Sequence, residues 1–201
     1  DMTDTDICNM ALSYIGKGTI VNRDEDIEDA RACNLFYDAA RCEILRAYPW
    51  GFAHRIERLA LIDKEVPGWT YTYGYPDKCL KINKITEKTP SVVQYERFEI
   101  INLGSGTKAV ITDLKDAYAD YIWDVEDAEL YDDLFVTAIT HLLASKIAMR
   151  LTGNPQITSQ EYQLYNVCMQ NAKLQSAREE HQKPRFHSGY ITARRGGNER
   201  G

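Results

Sequence analysis

The sequence predicts a mainly helical α+β chain: a four-helix bundle with a β-rich insertion between its second and third helices and a flexible C-terminal tail. Three observations lead there. Four segments repeat apolar residues at the i, i+3, i+4, i+7 spacing of amphipathic helices. From about Pro67 to Tyr121 the pattern changes to period two, with residues typical of strands. Beyond Pro184 all periodicity stops, and three of the last six residues are glycine. Residues 1–66 and 122–182 are therefore assigned to the bundle, 67–121 to the insertion and 183–201 to the tail.

The first helix is expected over Thr5–Ile15, where Ile7, Met10, Ala11, Tyr14 and Ile15 share one face. Thr5 is the expected cap and Gly16 the expected stop. A longer helix follows from about Asp26 to Tyr48. Its opening, Asp24-Glu-Asp-Ile-Glu-Asp29, suits the positive end of a helix dipole. Cys33, Phe36, Tyr37, Ala40, Ile44, Ala47 and Tyr48 form its apolar stripe. Pro49 disfavours helical geometry at Tyr48 and has no N–H to continue the ladder, so the helix ends there. Trp50 and Phe52 are expected to fold back over the bundle and set the chain's exit toward the insertion.

Within the insertion, Trp69, Tyr71, Tyr73 and Tyr75 alternate with small or polar residues, which puts all four rings on one strand face. Core packing or a subunit interface suits such rings better than a stacking platform for sugars or bases. Leu80, Ile82 and Ile85 continue an alternation, and Val92–Tyr95 and Phe98–Leu103 read as further strands. Gly104-Ser-Gly-Thr107 then reads as a hairpin turn before Ala109–Thr112. Gly104-x-Gly106-Thr107-Lys108 lacks the Gly-Lys-Ser/Thr order of a phosphate loop and does not lead into a helix.

The third helix is expected from about Leu130 to Leu151, burying Leu134, Phe135, Ala138, Leu142, Ile147, Ala148 and Leu151, with Gly153 as C-terminal cap. Pro155 blocks simple continuation. The fourth runs from about Ser159 to Gln182, with Tyr162, Tyr165, Cys168, Met169 and Ala172 on one side, and Pro184 ends it.

Composition excludes several classes of function. The chain is 44% hydrophobic and 27% charged, which argues against global disorder. No apolar run approaches the ~20 residues a membrane-spanning helix needs. Five cysteines, an odd number without Cys-x-x-Cys spacing, argue against a disulfide framework or structural zinc. Cys33, Cys42 and Cys168 read as small core residues of a reducing compartment. No His-Glu-x-x-His and no Gly-x-Ser-x-Gly occurs. The acidic groups at 24–29 and at Asp124, Glu126, Asp127, Glu129, Asp132 and Asp133 precede predicted helices. Helix-start charge explains them better than paired catalytic carboxylates do. No catalytic residue, metal or cofactor is expected. Residues 183–201 carry five basic residues against Glu199, a balance of +4, so the first 182 residues carry −10 of the net −6. An acidic body of this kind is unsuited to sequence-specific DNA binding.

Four stretches together carry a family resemblance: Ala11-Leu-Ser-Tyr-Ile-Gly16; Ala30-Arg-Ala-Cys-Asn-Leu-Phe-Tyr-Asp38 leading to Ile44-Leu-Arg-Ala-Tyr-Pro-Trp-Gly-Phe-Ala53; the tyrosine strand ending at Tyr75-Pro76 with Cys79-Leu-Lys81; and Leu143-Ala-Ser-Lys-Ile-Ala-Met-Arg-Leu-Thr-Gly153. In this order, over residues 7–175, the chain resembles the tail tubular protein A family, the head-to-tail adaptors (connectors) of tailed bacteriophages and prophages.

The resemblance implies a structural, non-enzymatic subunit in the neck of the virion, assembled in the host cytoplasm and taking part in genome ejection. Its partners would be the portal protein, the tail nozzle or next tail ring protein, and further copies of itself in a ring of twelve. DNA would pass through the channel without sequence-specific binding, and no membrane would be involved. A ring subunit meets its neighbour through two different faces, and thirteen tyrosines suit surfaces that are wet before assembly and buried after it.

The tail lies beyond the recognisable stretch. Phe186, Tyr190 and Ile191 are its expected apolar anchors, and Arg185, Arg194 and Arg195 are expected to pair with acids on the portal as the tail orders. The alternative for the tail is an unstructured end. Gly104, Ser105, Gly106, Thr107 and Lys108 are the expected tail-side or intersubunit loop. Two other readings compete with the adaptor: a virion-associated peptidoglycan glycoside hydrolase, and a DNA-binding neck or packaging factor.

Overall fold

The computed structural model describes residues 1–88, 96–104 and 106–182. The first helix, α1, spans Asp4–Tyr14. Its cap is Thr3 rather than Thr5. The Thr3 hydroxyl accepts from the Asp6 N–H and the Asp6 carboxylate accepts from the Thr3 N–H, a reciprocal capping box. Gly16, at φ +76°, ends the helix as expected. The Lys17 N–H reaches back to the Leu12 carbonyl and the Gly16 N–H to that of Ser13, which satisfies two carbonyls the ended helix would leave bare.

Helix α2 spans Glu28–Ala47, and Tyr48 before Pro49 is extended. A short 3₁₀ turn at Gly51–Ala53 then leads into seven strands: β1 His54–Arg58, β2 Leu61–Ile62, β3 Tyr71–Gly74, β4 Cys79–Thr86, β5 Phe98–Asn102, β6 Lys108–Thr112 and β7 Tyr118–Trp123. They form two antiparallel sheets, ordered β1-β7-β4 and β2-β3-β6-β5. Leu59 and Ala60 carry the chain from one sheet to the other. The Leu59 N–H donates to the Ala117 carbonyl, and the Ala60 carbonyl accepts from Gly74.

A second 3₁₀ turn, Ala128–Leu130, precedes α3, Asp133–Thr152, which is capped by the Asp132 carboxylate on the Phe135 N–H. Gly153 closes α3 in the left-handed region at φ +65°. Helix α4, Pro155–Gln182, begins one turn earlier than the sequence suggested. Pro155 blocks continuation of α3, as expected, and also opens α4. It occupies the first helical position, where its missing N–H costs nothing, and the Asn154 side chain caps the Gln156 N–H.

These elements correct the predicted architecture. The described residues form a mixed α+β fold, with four α-helices and two antiparallel sheets, in place of a four-helix bundle carrying one β insertion. Helix α3 is the hub, packed by α1, α2 and α4, and α2 also rests on β4. The strands begin at His54 and run to Trp123, and the sheet layer contributes Ile122, together with the following Val125, to the helical core. A second core lies among the strands, built from Leu59, Tyr73, Ile82, Ile85, Val110, Ala119 and Tyr121.

Helix α3 is also long and apolar enough to cross a membrane, contrary to the sequence-based expectation. Its position explains its composition. Packed by three helices, it buries Phe135, Ala138, Ile139, Leu142, Leu143, Ile147 and Ala148. The expected strand Val92–Tyr95 and the predicted flexible tail, residues 183–201, lie outside the described residues.

Candidate interaction surfaces

The stretch from Leu45 to Phe52 forms an aromatic corner. Pro49 stops α2, and Trp50 turns back under it, 1% exposed, donating its indole N–H to the Ile44 carbonyl at 2.9 Å. That carbonyl lies in the last turn of α2, where helical partners run out. Trp50 meets Tyr48 edge-on at 4.7 Å and Phe135 of α3 at 5.1 Å and 90°, and Phe52 meets Phe135 at 5.1 Å. The Tyr48 hydroxyl donates to the Ala172 carbonyl of α4. One turn of chain thus ties α2, α3 and α4 and aims β1 away from them.

A ladder of ion pairs runs along α2. Asp4 and Asn34 accept from the Arg23 guanidinium, which also lies 3.7 Å from Asp38. Asp38 and Asp124 then share the Arg41 guanidinium, at 2.7 and 3.1 Å. Burial works against the charge on Arg41. Asp124 and Asp38 outweigh that penalty and hold the guanidinium charged even more firmly than usual. Asp124, expected at a helix start, instead joins the end of β7 to α2. Asp132 does cap a helix, and Glu28 in the first turn of α2 accepts from Arg150 at 2.6 Å.

Two histidines are held by buried acids. His141 on α3 bonds Glu161 on α4 through Nδ1 at 2.7 Å and stacks under Tyr14 of α1 at 4.8 Å. His54 on β1 bonds Asp120 on β7 through Nε2 at 2.8 Å, while Asn83 also donates to Asp120 at 3.1 Å. Nothing in the local sequence signals either pair, because each joins residues from separate elements. Among the described residues, no group of three or more His, Cys, Asp or Glu is placed to hold a metal ion. All five cysteines are free, with Cys8 and Cys33 fully buried.

The tyrosine strand is only partly as expected. Tyr73 is buried with its hydroxyl on the Leu114 carbonyl, and Tyr71 and Tyr75 are half-buried against the same core. Trp69 lies before the strand, and its ring carries the Arg97 guanidinium at 3.8 Å. Tyr71 and Tyr73 line the floor of a depression of about 450 Å³ where β1 turns into β2, with Arg58, Lys115 and Asp116 at its rim.

Gly104, Gly106 and Thr107 lie in the turn of the β5–β6 hairpin, and Lys108 is the first residue of β6, paired with Asn102. The Leu103 N–H donates to the Thr107 carbonyl, and both glycines have positive φ, +98° and +76°. Ser105 lies outside the described residues. So do Arg185, Phe186, Tyr190, Ile191, Arg194 and Arg195, the expected portal-binding set.

The outer side of α4 carries Leu164, Val167 and Leu174, which are 39%, 51% and 59% exposed and separated by helical spacing. The opposite side buries Glu161, Tyr165, Met169 and Ala172, and burial pushes the Tyr165 hydroxyl up to about 12. Helix α4 therefore has two apolar stripes. The inner one was legible in the sequence; the outer one was not singled out. No protein-family model matches the chain, and no curated protein matches it significantly.

Proposed function

We propose that this chain is a structural head-to-tail adaptor of a tailed bacteriophage or prophage, one subunit of a ring between portal and tail through which DNA passes. The observation that carries the reading is the stretch most specific to the family resemblance, Ala30–Ala53. It forms a single built unit, α2 followed by the aromatic corner, and organises the packing of three helices. A corner of that kind serves shape and rigidity and has no reacting group. The reading is also supported by large apolar side chains exposed on several elements. These include Leu35 on α2, Ile56 on β1 and the outer stripe of α4, which suit a subunit whose surfaces are covered on assembly.

In this reading the chain has no enzymatic role. Its partners are the portal, the tail nozzle or next tail ring protein, and further copies of itself, and its place is the virion neck. The test is electron microscopy of the protein mixed with its cognate portal. A ring of density beneath the portal is expected, and deleting residues 184–201 is expected to abolish attachment while leaving the fold intact. A portal that stays bare at saturating subunit concentration would refute the adaptor. Lysis of peptidoglycan in a zymogram, lost on replacing one specific carboxylate, would establish the hydrolase instead.

A further inference from the structure

The open face of the β1-β7-β4 sheet, where it meets the end of α2, departs from the acidic character of the body. Arg46, Tyr48, Lys81, Asn83 and Ile122 line a depression of about 250 Å³ there. Arg46 uses Nε on the Leu80 carbonyl at 3.4 Å, and among the described residues neither Arg46 nor Lys81 has a carboxylate partner. Lys84 and His54 stand further along the same face, with side chains 54% and 40% exposed. The acid between them, Asp120, is 10% exposed and is already engaged by His54, Asn83 and Lys84. The face therefore presents Arg46, Lys81 and Lys84 outward and holds Asp120 inward, in a body of −10.

We propose that this face is a sequence-neutral contact site for the phosphates of a nucleic-acid duplex, with Arg46 and Lys81 at its centre and Lys84 at its rim. The lining mixes Arg46, Lys81 and Asn83 with Ala47, Tyr48, Pro49 and Ile122, and its two cations are exposed to solvent. Phosphate contacts need only N–H donors on a solvated face. Tyr48, the aromatic residue in the lining, is half-buried with its hydroxyl on the Ala172 carbonyl, so the proposed contact runs through the cations and carries no sequence information. The net negative charge of the first 182 residues repels a polyanion at long range, which favours the few unpaired cations such as Arg46 and Lys81 as its points of contact. This inference does not rest on the adaptor reading.

The test is fluorescence anisotropy of a short labelled DNA duplex with the full-length chain, titrated at several salt concentrations. Wild type is expected to bind weakly at low salt. Its log K should fall linearly with log salt, and R46E/K81E should make that slope shallower by about 2, near one unit for each phosphate-contacting cation lost. The basic tail is a second source of binding, so R185E/R194E/R195E is measured alongside. The difference between the R46E/K81E variant and its parent should persist in that background. K81E/K84E gives the same reading should Arg46→Glu disturb the end of α2. A wild type that does not bind duplex at low salt would overturn the proposal. So would face variants with the wild-type slope, or poly-glutamate displacing the duplex more effectively than unlabelled DNA, which would assign the face to an acidic protein.

Discussion

Replacing Trp50 by alanine tests the aromatic corner directly. The indole is 1% exposed and is ringed by Tyr48, Phe52 and Phe135 at centroid distances of 4.7, 6.1 and 5.1 Å. Truncating a buried tryptophan costs about 3–5 kcal/mol through lost burial and the cavity left behind. The surroundings here resist collapse, because Phe135 is fixed on the hub helix and Pro49 fixes the chain direction. For a chain of this length each kcal/mol lowers Tm by roughly 2–4 °C, so W50A should unfold on the order of 10 °C lower. Trp50→Phe separates packing from hydrogen bonding. It keeps most of the ring contacts and strips the Ile44 carbonyl of its donor, at a cost of about 1–3 kcal/mol. Thermal and urea unfolding followed by far-UV circular dichroism measures both. A W50A protein destabilised by less than about 1 kcal/mol would refute the corner's role in joining α2 to α3.

Three further substitutions probe other joints. Arg41→Ala leaves the largely buried Asp124 without its cation, while the exposed Asp38 keeps Arg23 at 3.7 Å, and should cost about 3 kcal/mol in urea unfolding. Gly153→Ala should cost about 1–2 kcal/mol with no change in fold: φ is +65° and no atom lies within 4 Å of the added Cβ, so the penalty is purely conformational. Thr3→Ala removes the capping hydroxyl at about 1 kcal/mol near neutral pH. The Thr3 hydroxyl and then the Thr3 N–H hold the Asp6 carboxyl below its usual range. A depressed carboxyl contributes its stability above its unfolded value of 3.8 and loses it as pH falls through the depressed folded value. The gap between wild type and T3A should therefore narrow in melts below pH 3.8.

What could be read from the sequence follows from where each signal resides. Stops written in a single residue were legible: Pro49, Gly16 and Gly153 each end a helix where expected. The β5–β6 turn was legible for the same reason. Two of the strands that escaped notice, β1 and β7, lack alternation for opposite reasons. In β1, an edge strand, Ile56 is 57% exposed and no face is dry. In β7 the four central residues Ala119–Ile122 are all buried: Ala119 and Tyr121 in the core among the strands, Ile122 in the helical core, and Asp120 against His54, Asn83 and Lys84. Neither pattern resembles a half-buried strand. Without those two strands the rest looked like an insertion in a bundle. Pro155 does stop α3 from continuing, as expected, but the start of α4 was placed at Ser159, too late, because the opening turn shows only once Asn154 is recognised as its cap. The basic face was invisible for a different reason: Arg46 and Lys81 belong to distant elements, and only the docking of α2 on β4 brings them to one depression.

The alternation of β7 between the two cores has a consequence for how the chain folds. Ile122 faces the helical core, Ala119 and Tyr121 face the core among the strands, and Trp123 packs against both, with the Arg55 guanidinium 3.5 Å above its ring. Tyr121 also donates its hydroxyl to Glu57 of β1; burial, with the Glu57 carboxylate adding to it, pushes that hydroxyl up to about 12. Each core thus depends on a strand that the other core holds in place. Replacing residues 67–121 by a short Gly/Ser linker removes β3–β6 and most of β7. It leaves β1 unpaired and frees Ile122 and Trp123 from their register. Such a chain should keep helical circular dichroism, lose its sharp thermal transition and bind an apolar dye, because the helical core is left open on its sheet side. A shortened chain that melts cooperatively at the wild-type temperature would show that the helices close their core without the sheet.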